Sequence, residues 1–316
     1  MQESILNRFR VLVRNNRLAH AYLFIGPKDV GKAQTAIAIA KLVNCEHPSS
    51  GLSCNACAVC LKIEHGNHPD IHVISADETQ TIKIEQIRHL IERIQLRPFE
   101  GKKKVFIIKN IEHLTPEGGN ALLKTLEEPV KDSLLILTTA VPEENLDTIK
   151  SRCHGVSFFP SSNRKLELHL TKDYAIDQIK SHFLAYYAEG CPGLARRFEE
   201  DEIFERKNEA INKIVCAAES DDYLKKILAD KIKTKEILNV LLSWFRDLLL
   251  LKTGVDESRL VHLDRIKELK KYEQSYSFVQ LTEMINEITG TARLLGENLN
   301  VKLGVSLIKE KLWRRT

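Results

Sequence analysis

Apolar residues recur at helical spacing in Ile5, Leu6, Phe9, Leu12 and Val13, so the chain begins with an amphipathic helix over residues 1–13. Ala21–Ile25 is a short continuous apolar run ending at Gly26-Pro27, the pattern of a buried strand entering a loop. Gln34–Val43 is apolar and rich in helix formers, giving the order strand, glycine-containing loop, helix. Ile71–Ser75 and Val105–Ile108 predict further strands, with a helix over Ile84–Leu96 between them. Thr115-Pro116 offers an N-cap and then a proline at the first helical position. The helix it starts runs to about Glu127 and stops before Pro129. Leu134–Thr138 and Val156–Phe159 are the last strand-like runs. Strands alternating with helices predict parallel βαβ units in a sheet covered on both faces.

The pattern changes at Pro160-Ser161-Ser162-Asn163, and no convincing strand follows. Leu166–Glu202 reads as short helices interrupted by Gly190-Cys191-Pro192-Gly193, and from Phe204 onward the periodicity is helical throughout. Ile237, Leu238, Leu241, Leu242, Phe245, Leu248 and Leu249 form one wide apolar stripe, by default a core face, and Leu299–Leu312 another. The expected division is an α/β domain over 1–160, a small helical domain over 161–204 and a larger helical domain over 205–316.

Composition narrows the class. Of 316 residues, 43% are hydrophobic and 28% charged, the balance of a folded chain rather than a disordered one. No apolar run approaches the roughly 20 residues that cross a bilayer, and the amphipathic first helix lacks the apolar segment of a signal peptide. A cytoplasmic protein with no membrane association is expected. Lys and Arg number 47 against 43 Asp and Glu, a formal net charge of +4 with no basic arm or tail set apart. That balance weighs against autonomous, high-affinity DNA binding.

Gly26-Pro27-Lys28-Asp29-Val30-Gly31-Lys32-Ala33 matches the GxxxxGK phosphate loop, in the strand-to-helix context the motif requires. Its glycines let backbone N–H groups turn toward an anion, and Lys32 has the reach for a phosphate. The next position normally carries a hydroxyl for Mg²⁺, and here it is Ala33. A nucleotidase also needs a carboxylate at the end of a later strand, yet Val105–Ile108 is followed by Lys109-Asn110. Glu112 lies two residues further on and is not assigned that role. Gly26, Gly31 and Lys32 are therefore read as a degenerate site, with ATP binding absent or weak and no intrinsic catalysis.

Cys45, Cys54, Cys57 and Cys60 place four thiols within sixteen residues. Four soft ligands suit tetrahedral Zn²⁺ in a closed, structural site, and little apolar sequence surrounds them to order the segment otherwise. Redox-active or free thiols are the weaker alternative. His47, His65, His68 and His72 lie nearby, but four cysteines leave them no vacancy, and they read as surface histidines. Cys153, Cys191 and Cys216 have no clustered spacing and read as small buried hydrophobes. Arg152, in Ser151-Arg152-Cys153, is either a structural arginine or a finger on a neighbouring subunit's γ-phosphate.

Four blocks together resemble one family: His20-Ala21-Tyr22-Leu23-Phe24 leading into the phosphate loop, the four cysteines, Asn120-Ala121-Leu122-Leu123-Lys124-Thr125-Leu126-Glu127-Glu128-Pro129, and Ser151-Arg152-Cys153. In order and spacing they are similar to the bacterial clamp-loader subunits of DNA polymerase III, a branch of the AAA+ proteins. The resemblance covers Met1 to about Phe159. It implies an AAA+ P-loop domain with a zinc module, then a helical lid and an all-α collar. Asn300-Val301-Lys302-Leu303 resembles the collar's last helix.

Within that family, Ala33 and Lys109-Asn110 favour the delta-prime type over the ATP-hydrolysing gamma/tau type. The implied role is a subunit of a hetero-pentamer with gamma/tau and delta that loads the sliding β clamp on primed DNA. Arg152 is then the trans-acting finger at the adjacent gamma/tau site. Thr138 or Thr139 falls in the sensor-1 region and Arg196 or Arg197 in the sensor-2 region, while Asp147 stands where the family often has proline. Two rivals remain: a gamma/tau-like ATPase subunit, and a zinc-dependent nucleic-acid reader. The second is disfavoured because nothing aromatic is interleaved with basic residues in Cys45–Cys60.

Overall fold

The structure is a computed structural model that describes residues 2–48, 52–76, 81–141, 147–216, 223, 230–296 and 308. The chain divides into two compact units, Met1–Ser161 and Ser162–Thr316. In the first, helix α1 (Gln2–Arg14) precedes strand β1 (Ala21–Ile25), followed by α2 (Lys32–Asn44), α3 (Ala58–Glu64) and β2 (Ile71–Ile74). Helix α4 (Ile84–Ile94), β3 (Lys104–Ile108), α5 (Pro116–Glu127), β4 (Ser133–Thr139), α6 (Asp147–Lys150) and β5 (His154–Ser157) complete it. The five strands form one sheet in the order β2-β3-β4-β1-β5, with every pairing parallel. This is the parallel sheet with flanking helices that the alternation predicts, and it agrees with the P-loop domain that the resemblance implies.

β3 and β4 are buried along their whole length, which is why both read as unbroken apolar runs. One face packs Leu23, Phe106, Ile108, Leu135 and Leu137 against Ile87, Leu90 and Ile94 of α4 and Leu122 and Leu126 of α5. On the other side, Phe9 of α1 meets Tyr22 and Phe24 edge-on, with centroids 4.7 and 5.9 Å apart. α5 begins where its capping chemistry puts it: the Thr115 hydroxyl accepts the Gly118 N–H at 3.2 Å, and Pro116 follows.

The second unit is helical among its described residues. It runs through α7 (Asn163–Asp173), α8 (Gln178–Tyr187), α9 (Pro192–Glu200), α10 (Ile203–Ala210), a π-helical turn (Ile211–Cys216), α11 (Lys231–Lys252), α12 (Ile266–Glu273) and α13 (Phe278–Gly296). The stripe on α11 is core: Ile237, Leu238, Leu241, Phe245 and Leu248 are buried with Trp244, and pack with Leu281, Met284 and Ile288. Of the stripe over 299–312 only Ile308 is described, and it is buried. Asn300–Leu303, like residues 144–146, lies outside the described residues.

Polar groups are also buried here, which periodicity did not reveal. Asp247 is fully buried and accepts the Val261 and His262 N–H groups at 3.1 and 2.7 Å. Burial pushes its carboxyl up to about 6 despite those bonds. Lys207, also fully buried, donates to both Asp264 oxygens at 2.6 Å and lies over the Phe183 and Phe204 rings. Burial lowers its ammonium to about 8.

Candidate functional site: a phosphate loop, a cysteine cluster and an arginine

The phosphate loop leaves the carboxyl end of β1, the edge at which parallel α/β sheets bind ligands. Gly26 is required sterically, since a Cβ there would lie 2.3 Å from the Phe158 carbonyl oxygen. Gly31 caps α2 with φ 101°, a left-handed conformation that glycine adopts without strain. Lys32 is turned into the loop it belongs to. Its ammonium donates to the carbonyls of Gly26 and Pro27, each at 2.6 Å, and the residue is only 5% exposed. Reaching a phosphate means giving up carbonyl partners in a nearly dry site. Ala33 follows on the first turn of α2 and supplies no side-chain oxygen.

The carboxyl end of β3 reaches the same edge of the sheet. Lys109 continues the ladder through its N–H to Ile74 O at 2.8 Å, and Asn110 turns the chain with φ 55°. Thr138, at the end of β4, accepts the Asn110 N–H on its hydroxyl at 3.0 Å, while the Thr139 hydroxyl donates to Val141 O at 2.8 Å. The Glu112 carboxylate accepts the Ala140 N–H at 3.3 Å, and its second oxygen is buried without a hydrogen-bond partner. Glu112 thus ties the turn after β3 to the turn after β4.

The four cysteines come together. Their sulfurs all lie within 4.8 Å of one another, with Cys45 and Cys60 buried and Cys54 and Cys57 half-buried. The Cys45 and Cys54 sulfurs are 3.6 Å apart, far beyond a covalent S–S bond of about 2.05 Å. It is close to the roughly 3.8 Å edge of a tetrahedron with metal–sulfur distances of about 2.3 Å. Three N–H groups are aimed at the sulfurs: Cys54 N at Cys45 Sγ (3.3 Å), Cys57 N at Cys54 Sγ (3.2 Å) and Cys60 N at Cys57 Sγ (3.5 Å). The bonds to Cys54 and Cys57 favour their thiolates, and the Cys60 N–H is the main reason that the Cys57 thiol is lowered to about 6. Burial instead pushes the Cys60 thiol up to about 12. A bound divalent cation reverses that, because a coordinating thiol is deprotonated outright. The cluster fits a four-thiolate metal ion.

The histidines do not join it, and two of them depart from the surface reading. His47 and His65 are exposed. His68 is buried, its Nδ1 accepting the Asp70 N–H at 3.1 Å, and His72 stacks on Phe106 with centroids 4.8 Å apart. Burial lowers His72 to about 4. Phe106 of the neighbouring strand covers His72 and Glu100 lies beside His68, tertiary contacts that local polarity does not register. Cys191 is buried as expected, but Cys216 is exposed at the end of the π-helical turn.

Arg152 follows the short helix α6 and is held at the surface. Its Nε donates to Glu127 Oε1 at 2.7 Å, its Nη2 lies 2.5 Å from the same oxygen, and its Nη1 donates to Thr148 O and Ser151 Oγ. The side chain is about one-third exposed. Glu127 closes α5, so the asparagine-to-proline block and the Ser151-Arg152 block meet in space. His20 Nε2 reaches Leu126 O of the same helix at 2.9 Å, bringing the third block to it. In the second unit, Arg196 is exposed, pairs with Glu200 at 3.3 Å and lies over the Tyr174 ring at 5.4 Å.

The family profile described as DNA polymerase III, delta subunit, matches residues 1–162, and that for the C-terminal part of the delta subunit matches residues 205–307. DNA polymerase III subunit delta' of Bacillus subtilis (strain 168) is 30% identical over 314 residues, covering 96% of this chain and 93% of that protein. The chain belongs to the delta-prime family of DNA polymerase III subunits. Similarity extends to the tau/gamma subunit of Haemophilus influenzae, 40% identical over 152 residues, 48% of this chain and 22% of that longer protein. The solved gamma-subunit-related protein of DNA polymerase III from Thermotoga maritima aligns over 97% of this chain and 99% of its own, at 20% identity and a TM-score of 0.49. Among the described residues of this delta-prime family member, no helix is long and apolar enough to cross a membrane.

Proposed function

We propose that this chain is a non-hydrolysing clamp-loader subunit that assembles with gamma/tau and delta and completes a neighbour's ATP site. The observation that carries the reading is a phosphate loop kept in shape but stripped of its chemistry, in a delta-prime family chain. Gly26, Gly31 and Lys32 are present, Ala33 replaces the metal-binding hydroxyl, and Lys109-Asn110 puts a cation and an amide where a metal needs carboxylates. Both missing groups serve the same ion, and a cation at Lys109 opposes it electrostatically. A surface arginine presented beside Ser151 supports the trans finger role. The four cysteines are read as a structural Zn²⁺ site. Residues 161–204 and 205–316 are read as lid and collar, the latter joining the subunits of a hetero-pentamer that acts on the β clamp and primed DNA.

Steady-state ATP hydrolysis by the purified chain tests the non-hydrolysing claim. Turnover at the background of the preparation is expected, with no change in Lys32→Ala. Turnover that Lys32→Ala abolishes would favour the gamma/tau-like ATPase reading instead.

A further inference from the structure

The cysteine cluster is remote in role from nucleotide chemistry, and its neighbours indicate what it does for the chain. The loop between α4 and β3 carries Phe99 and Leu96, 84% and 63% exposed, the two most exposed large apolar side chains among the described residues of Met1–Ser161. A loop with so little apolar burial needs other anchors. It has them on both sides of the cysteine segment.

Immediately before the cluster, the Asn44 side-chain oxygen accepts the Lys103 N–H at 2.9 Å, and Cys45 O accepts Lys102 Nζ at 2.7 Å. Asn44 also approaches Gly101 so closely that a Cβ there would lie 2.9 Å from its Oδ1. Immediately after the cluster, Lys62 of α3 donates to both Glu100 oxygens at 2.9 and 2.8 Å. Asp70, fully buried, takes the N–H groups of Phe99, Glu100 and Gly101 at 2.8, 2.9 and 2.8 Å. Those three bonds hold its carboxyl below its ordinary range although burial opposes them.

We infer that the cysteine-bound metal fixes the Leu96–Lys103 loop. Cys45 and Cys60 are the two buried ligands, and the metal clips together the helix ends that carry Asn44, Cys45 and Lys62. Asp70 anchors the middle of the loop directly, through Phe99, Glu100 and Gly101. Lys103, held by Asn44, and Glu100, held also by Lys62, depend on the clip. The inference rests on the reading of the four cysteines as metal ligands, and coupling of this kind is reciprocal: a metal that orders the loop is bound more weakly when the loop is freed.

Hydrogen exchange on the full-length chain, zinc-loaded and after chelation under reducing conditions, tests it alongside measured zinc content. Removing zinc is expected to leave Lys103 and residues 58–66 exchanging about tenfold or more faster than β3 and β4 of the same zinc-free chain, which stay the best protected and report only the unit's lowered global stability. Asp70→Asn in the zinc-loaded chain is expected to free the amides of residues 99–101 and to weaken zinc binding about fivefold or more. One equivalent of zinc whose removal leaves residues 96–103 unchanged overturns the inference and spares the metal reading. So does a zinc-free chain in which Lys103 and residues 58–66 stay as well protected as β3 and β4, or an Asp70→Asn chain with unaltered zinc affinity. A chain that binds less than half an equivalent overturns the metal reading and the inference with it.

Discussion

Arg152→Ala is expected to lower ATP turnover at the adjoining gamma/tau site by about 10³–10⁵ in the reconstituted complex, the range for loss of a trans arginine. The fold and assembly are expected to survive. Arg152 pairs with a half-exposed Glu127, and ion pairs of that exposure contribute about 0–1 kcal/mol. Its remaining bonds, to Thr148 O and Ser151 Oγ, are also at the surface. A structural arginine in this setting changes stability slightly and turnover not at all, whereas a finger changes turnover by orders of magnitude. DNA- and clamp-stimulated ATPase, measured beside the assembly state of the same preparation, separates the two. Unchanged ATPase in an intact complex rejects the finger.

The second large effect is on the metal. Freshly purified chain is expected to hold one equivalent of zinc, and Cys57→Ser or chelation to remove it. Metal binding in isolated zinc peptides supplies about 10–16 kcal/mol, and here part of the segment's order comes from elsewhere. Val59, Cys60 and Ile63 are buried on α3, and Lys41 pairs with Glu64 and reaches Asn55. Loss of the metal should therefore cost the first unit some 3 kcal/mol or more rather than the whole amount. That corresponds to a fall in the melting temperature of its transition of roughly 6–12 °C. Elemental analysis and thermal unfolding check this, and a zinc-free chain with an unshifted transition contradicts it.

The sequence made the first unit legible wherever local chemistry and burial agree. β1 and α5 have the predicted bounds because Gly26-Pro27, Thr115-Pro116 and Pro129 are unambiguous punctuation. α2 begins two residues before its apolar run because Gly31, not hydrophobicity, sets its start. β5 is displaced toward His154: it is an edge strand with only Val156 buried, and the apolar Phe158 lies beyond its end against Gly26. α3 is too short for periodicity to detect. Its one signal was chemical, since Cys57 Sγ accepts the Cys60 N–H as its N-cap.

Side chains far apart in sequence were harder to read. The cysteine spacing announced a cluster, but nothing in Asp70, Asn44 or Phe99 alone announced the loop between them. His68 and Asp247 are polar residues buried by tertiary contacts, with partners supplied by backbone N–H groups that no sequence pattern marks.

The central claim is that this chain works as a part of an assembly. Mixing it with purified gamma/tau and delta and measuring the mass of the eluting species by light scattering tests this most directly. One species containing all three, at the mass of a pentamer, is predicted. A chain that elutes alone while gamma/tau and delta associate without it would contradict the account.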